Sequence, residues 1–184
     1  VGVATLCLKY RKNMVTTSYV KPEMHALDEA AREAGVIFLN ELGLDPGIDH
    51  MSAMRIIDDI HKREGAVLEF YSFCGALPAP EASDNPFGYK FTWSPKGVLK
   101  AGSNDGVYLQ DGDQVNVPTI DLFKNPLIVD CPRAGTLEVY TNRTSMPYIE
   151  LYGISEVQTL FRGTFRNLGW CEILDQMKQL NLFS

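Results

Sequence analysis

A chain of 184 residues has room for one full core or slightly more, and its 45% hydrophobic content is that of an ordinary globular fold, which excludes wholesale disorder. A formal charge of −6 repels phosphate backbones and anionic lipid, so nucleic acid is not an expected partner and an anionic ligand has to be met by a few local arginines. Cys7, Cys74, Cys131 and Cys171 are widely spaced without a C-x-x-C pair, which argues against a zinc site or a disulfide scaffold and suits a reducing compartment, and no apolar run reaches the roughly 20 residues of a membrane helix.

Residues 1–8 lack a basic leader, a cleavage site and an initiator methionine, and they begin inside an apolar pattern. The expectation is a trimmed chain or a fragment rather than a signal peptide. Residues 14–19 are rich in β-branched and aromatic side chains and predict a strand, and Pro22 suits a first helical turn. Across 23–34 the residues Leu27, Ala30, Ala31 and Ala34 recur at helical spacing, with Gly35 as the stop. The continuous apolar run 36–39 then predicts a parallel strand covered on both faces. Together, 14–42 reads as one βαβ unit of the kind that builds dinucleotide-binding domains. The G-x-G-x-x-G fingerprint of such domains occurs nowhere, so either their first half is absent or the fold is of another type.

Asp49 can cap a second helix with Ala53, Ile56, Ile57 and Ile60 on its buried stripe and Gly65 at its end. After it, strand-like stretches at 67–73, 89–93, 107–109, 137–141 and 159–166 are separated by turns such as Asp111-Gly112, and a helix over about 168–180 places Cys171, Leu174 and Met177 on one side. The predicted fold is α/β: the end of a Rossmann-like parallel βαβ unit over 1–48, followed over 49–184 by an incomplete α+β substrate-binding and dimerisation domain with a mainly antiparallel sheet.

Gly43-Leu44-Asp45-Pro46-Gly47-Ile48-Asp49-His50 joins a strand end to a helix start. By turn rules alone it is equally well a βα turn in which Asp49 caps and Gly47 supplies an unusual backbone angle. Asp45-Pro46 adds a carboxylate at the strand's mouth, and helix-start amides beside it can meet an anion. In 159–166 the two-residue period puts Leu160, Arg162, Thr164 and Arg166 on one face and Phe161 and Phe165 on the other.

Five separated segments, 13–19, 42–50, 74–81, 84–94 and 162–166, fall in the order and spacing of saccharopine dehydrogenase (glutamate-forming, also saccharopine reductase), which the chain resembles over nearly its whole length. The likeness is loose between about 106 and 132. It implies an oxidoreductase of lysine metabolism that takes saccharopine, NAD or NADP and water to glutamate and 2-aminoadipate 6-semialdehyde, or the reverse. It also implies a longer parent with the glycine fingerprint in front, a probable homodimer, and in some relatives a fused lysine-ketoglutarate reductase domain.

The same resemblance assigns substrate contacts to Ser18, Tyr19, Asp45, Cys74, Gly75, Arg143, Thr164, Phe165 and Arg166. It assigns cofactor contacts to Gly43, Leu44, Asp45, Pro46, Gly47, Ile48, Asp49, His50 and Trp93. Saccharopine carries three carboxylates and a secondary amine, so arginine forks at 143 and 166 suit it. Cys74 reads as pocket lining, no metal is called for, and neither His25, His61 nor His50 can be named as the acid–base group. Cytosol is the expected compartment, with the mitochondrial matrix as the alternative. Two other readings stand beside this one. One is a carboxynorspermidine dehydrogenase-like enzyme, which needs fewer cationic groups. The other is a non-catalytic binding or dimerisation fragment, since without the glycine-rich half the chain would bind the dinucleotide poorly.

Overall fold

The computed structural model describes residues 1–141 and 143–182, with Leu99 described by its backbone alone. Contacts divide the chain into two compact units, Val1–Asp59 and Ile60–Ser184.

The first unit opens with helix α1 (Gly2–Lys9), which the sequence pattern did not predict, and continues with strand β1 (Met14–Val15). Helices α2 (Pro22–His25) and α3 (Asp28–Ala34) and strand β2 (Phe38–Leu39) follow, and β1 pairs parallel with β2. The single helix expected over 23–34 is therefore two. Leu27 N–H bonds back three residues to the Met24 carbonyl, tightening the turn, and Asp28 and Glu29 then place acid at a fresh helix start, where the dipole favours it. Gly35 ends α3 in the left-handed conformation (φ +66°), as its position predicted.

Helix α4 (Ile48–Lys62) begins in this unit. It starts one residue before the expected cap, so Asp49 lies in its first turn and accepts the Gly47 N–H at 2.6 Å. Of the predicted stripe, Ala53 and Ile57 are buried, but Ile56 is 61% exposed. The 3.6-residue period carries Ile56 off a face narrower than the expected one.

The second unit is a six-stranded mixed sheet, antiparallel at every pairing but one. Its strands are β3 (Glu69–Cys74), β4 (Gly106–Gln110), β5 (Asp113–Val117), β6 (Leu127–Cys131), β7 (Gly135–Tyr140) and β8 (Thr159–Asn167). Helices α5 (Pro95–Ala101), α6 (Pro147–Tyr152) and α7 (Trp170–Gln179) complete it. β8 is the hub. It pairs in parallel with β3 from Glu69↔Thr159 to Cys74↔Thr164, and antiparallel with β4 at Leu109↔Leu160 and with β7 from Leu137↔Asn167 to Tyr140↔Thr164. A strand serving three partners is dry: Leu160 is fully buried, and Phe73 meets Phe161 and Phe165 edge to face at 6.0 and 5.4 Å.

Residues 89–93 are not a strand. Tyr89 is buried in the main core cluster with Tyr140, Phe123, Trp170 and Leu174, and Trp93 lies half-exposed against Gly97. Alternating aromatics there serve packing rather than a ladder. β5 and β6 are edge strands that the sequence pattern did not reveal. β5 forms because Asp111 and Gly112, both at positive φ (+52° and +88°), fold it back on β4.

His61 Nε2, at the end of α4, donates to Glu156 Oε1 at 2.7 Å, and the same oxygen accepts the Val67 N–H at 3.1 Å. The bond from His61 is the largest cause that holds the Glu156 carboxyl well down, to about 2. A lowered carboxylate pKa contributes stability that is complete above the ordinary carboxylate range and is lost as pH falls towards about 2. Urea midpoints measured from pH 6 to pH 2 are therefore expected to fall less steeply in Glu156→Gln than in the parent chain.

Candidate functional site

In the first unit, two loops meet beyond the ends of β1 and β2. The 16–20 loop is held by its own side chains: Ser18 N–H donates to Thr16 Oγ1 at 3.2 Å, and the Ser18 carbonyl accepts the Glu41 N–H at 3.2 Å and the Asn40 amide at 3.4 Å. The Tyr19 hydroxyl donates to Asp45 Oδ1 at 2.7 Å. Ser18, Tyr19 and Asp45 are thus brought together.

The 43–50 loop is built on close backbone approaches. Gly43 N–H donates to the Pro46 carbonyl at 2.9 Å, Ile48 N–H to the Gly43 carbonyl at 3.0 Å and Asp49 N–H to the Leu44 carbonyl at 3.0 Å. Gly47 has φ +148°, and a Cβ on it would lie 2.1 Å from the Gly43 oxygen, so no other residue fits. The amides of 47, 48 and 49 are bonded within the loop itself. Acid gathers there. His50 lies between two carboxylates, with Nε2 3.4 Å from Glu41 Oε2 and Nδ1 3.9 Å from Asp49 Oδ2.

In the second unit the predicted residues sit where β3 and β8 run side by side. Cys74 and Thr164 are register partners, both half-buried, and Gly75 lies against Phe165, whose Cβ and carbonyl oxygen are each 2.7 Å from where a Gly75 Cβ would be. Arg143 is exposed, and its carbonyl accepts the Val107 N–H at 3.1 Å; its neighbour Asn142 lies outside the described residues. Trp93 stands in the loop before α5. Arg162 is not a solvated edge charge: its guanidinium lies 3.9 Å over the Tyr148 ring.

Arg166 is only 4% exposed. Its guanidinium is enclosed by Tyr89, Trp170 and Tyr140, at 4.8, 5.1 and 5.8 Å from their ring centroids. Nη1 donates to the Phe165 carbonyl at 2.8 Å, while Nε is buried without a hydrogen-bond partner among the described residues. Burial pushes the Tyr140 hydroxyl's pKa up, and the charge and hydrogen bond of Arg166 draw it part of the way back. Glu138, opposite Arg166 in the β7–β8 register, accepts the Cys171 N–H on Oε1 at 3.0 Å. The three rings also line a cavity of about 280 Å³ with Phe91, Phe123 and Leu174. Buried beside it, Tyr89 Oη and Trp170 Nε1 have no hydrogen-bond partner among the described residues. Sequence reasoning singled out Arg166 but missed this ring enclosure, because its members come from three distant segments. It also missed Glu41, although a glutamate set directly between a strand end and a glycine loop was a visible signal.

The family model described as the saccharopine dehydrogenase C-terminal domain matches residues 43–184. Among curated proteins, the mouse "Alpha-aminoadipic semialdehyde synthase, mitochondrial" is 47% identical over 99% of this chain and 20% of its own length. The Pyricularia oryzae "Saccharopine dehydrogenase [NADP(+), L-glutamate-forming]" is 42% identical over 96% of this chain and 39% of its own. A solved structure, apo histidine-tagged saccharopine dehydrogenase (L-Glu forming) from Saccharomyces cerevisiae, superposes with a TM-score of 0.89 at 38% identity, covering 99% of this chain and 41% of that one. The chain therefore spans well under half the length of these relatives.

The glycine requirement at 47 is checked by Gly47→Ala. Contact with three backbone atoms closer than 3.0 Å leaves no side chain to yield, so the loss should be at least about 2 kcal/mol in urea unfolding.

Proposed function

Because the chain belongs to the saccharopine dehydrogenase C-terminal domain family, we propose that it carries most of the substrate site of an NAD(P)-dependent, glutamate-forming saccharopine dehydrogenase of lysine metabolism. The observation that supports this best is Arg166. Its Nε is buried with no hydrogen-bond partner among the described residues, and leaving a donor of a buried charged group unsatisfied is costly. A carboxylate delivered by a ligand would supply that partner.

In this reading Arg143 and Arg166 hold carboxylates of saccharopine, and Thr164 and the backbone at Phe165 orient them. Cys74 and Gly75 line the wall, where the missing Cβ of Gly75 lets β3 and β8 close up. Ser18 and Tyr19 face the amine-bearing part, with the Tyr19–Asp45 pair able to accept or return a proton at the secondary amine. The nicotinamide would lie along Gly43–His50, and Trp93 is proposed as a further cofactor contact from the second unit. The side chains around that loop are acids, which suit the positively charged nicotinamide ring of NAD(P)+ better than a pyrophosphate. When bound, NAD(P) takes up the hydride from the carbon beside the secondary amine. Water then adds to the resulting imine and breaks its carbon–nitrogen bond, giving glutamate and the semialdehyde.

The reducing compartment that the free cysteines suit is the cytosol or the mitochondrial matrix, and the name of the mouse relative favours the second. A fused lysine-ketoglutarate reductase domain and a homodimer remain part of the proposal for the parent. The exposed Leu127 (41%) and Ile128 (61%) on edge strand β6 are suited to a subunit contact.

The test is saccharopine-dependent reduction of NAD(P) by the complete polypeptide; no turnover of saccharopine would sink the proposal. Arg166→Met should lower saccharopine affinity roughly a hundredfold, the cost of removing one partner of a buried charge pair, while changing unfolding stability less, because no ion-pair partner of Arg166 among the described residues is left behind. Calorimetric titration and a urea curve read the two effects separately.

A further inference from the structure

We infer that Glu41 is the positioning residue of the first unit's part of the site, fixing the Ser18–Val20 segment against the 43–50 loop so that Tyr19 reaches Asp45. The inference rests on the roles proposed above for those two segments.

The backbone gives the first indication. Glu41 has φ +58°, a left-handed conformation that residues with a Cβ seldom adopt, and such strain persists where the surroundings hold it. The side chain gives the second. Oε1 accepts the Val20 N–H at 2.8 Å, and Oε2 stands 3.4 Å from His50 Nε2 in the first turn of α4. At 25% exposure the carboxylate is withdrawn from water, unlike a solvated surface glutamate. The main chain supplies the third. The Glu41 N–H donates to the Ser18 carbonyl at 3.2 Å, and the Glu41 carbonyl oxygen lies 2.8 Å from where a Cβ on Gly47 would be. Its N–H and Oε1 thus hold the 18–20 segment, and its carbonyl and Oε2 face the 43–50 loop.

Adjacent bonds brace the same join: Asn40 Nδ2 to the Ser18 carbonyl, and Leu42 N–H to the Thr16 carbonyl at 3.1 Å. The Tyr19–Asp45 bond, at 2.7 Å, tolerates only a few tenths of an ångström before it weakens. The separation of the two segments sets that length, and Glu41 sets the separation. Relaxing it loosens a preorganised binding surface rather than unfolding the unit, so the cost falls on substrate binding.

Two substitutions separate side-chain reach from charge. Glu41→Asn tolerates the left-handed backbone but is a methylene too short to reach Val20, whereas Glu41→Gln keeps both length and acceptor oxygen and removes the charge. Amide hydrogen exchange on this chain should show Val20 exchanging roughly tenfold faster in Glu41→Asn and near the parent rate in Glu41→Gln. In the complete polypeptide, KM for saccharopine should rise about tenfold in Glu41→Asn, with kcat changed less, and recover in Glu41→Gln.

An unchanged Val20 exchange rate or an unchanged KM in Glu41→Asn overturns the inference, as does a Glu41→Gln variant as impaired as Glu41→Asn. If Glu41→Asn does not fold, Glu41→Gly, which meets no backbone strain at this φ, takes its place. Were the unaltered complete polypeptide unable to turn over saccharopine, the functional reading would fall, and Val20 exchange alone would then decide whether Glu41 holds the segment.

Discussion

A guanidinium kept almost wholly from water has to be matched by something, and in the second unit much of the architecture follows from keeping Arg166 there. The residue sits on β8, the one strand that pairs with three others, so its backbone cannot swing outwards without breaking the β7–β8 ladder at Glu138↔Arg166. Its charge is therefore held in place by main-chain hydrogen bonds and walled by rings drawn from the 84–94 loop, β7 and α7. Rings are the walls that suit this purpose. Their faces attract a cation without neutralising it, so the positive charge stays available to an incoming anion. An aspartate in place of Tyr89 would settle the local electrostatics and leave nothing for a ligand to do.

The same strand explains why the neighbouring site residues are small or half-buried. β3 and β8 approach closely enough that Gly75 touches Phe165 with no room for a Cβ, and Cys74 and Thr164 face each other in register. On the far side of β8 the aromatic stack of Phe73, Phe161 and Phe165 fixes the pleat. Period-two alternation thus divides one strand into an apolar face that builds the sheet and a face that carries Arg162, Thr164 and Arg166.

That alternation is the reason β8 was legible in the sequence, down to which residues share Arg166's face. The turn at Asp111-Gly112 and the helix stop at Gly35 were legible too, because each depends on a backbone angle that few residue types adopt. Less was visible wherever tertiary contacts decide. Tyr89, Phe91 and Trp93 alternate as a strand would, yet no partner strand pairs with them, and Tyr89 turns inward to the core. β5, with Asp113, Gln114 and Asn116, has the composition of a loop and becomes a strand through its hairpin with β4. α1 presents Val3 and Leu6 at 67% and 55% exposure, so no single apolar face announces it. Among site residues, motif resemblance named both loops of the first unit but not the glutamate between them. Glu41 bonds to main-chain groups, and in the sequence this shows only as a glutamate set between a strand end and a glycine loop.

The two units also differ in the sign of the charge they offer. Around the 43–50 loop stand Glu41, Asp45 and Asp49, while the second unit contributes Arg143 and the enclosed Arg166. Taken by itself, the first set offers partners to a cationic amine, and the second offers them to a carboxylate. The overall charge of −6 reinforces this selectivity. In a surrounding field that is negative on balance, anionic ligands are held only where a guanidinium has been set apart for them.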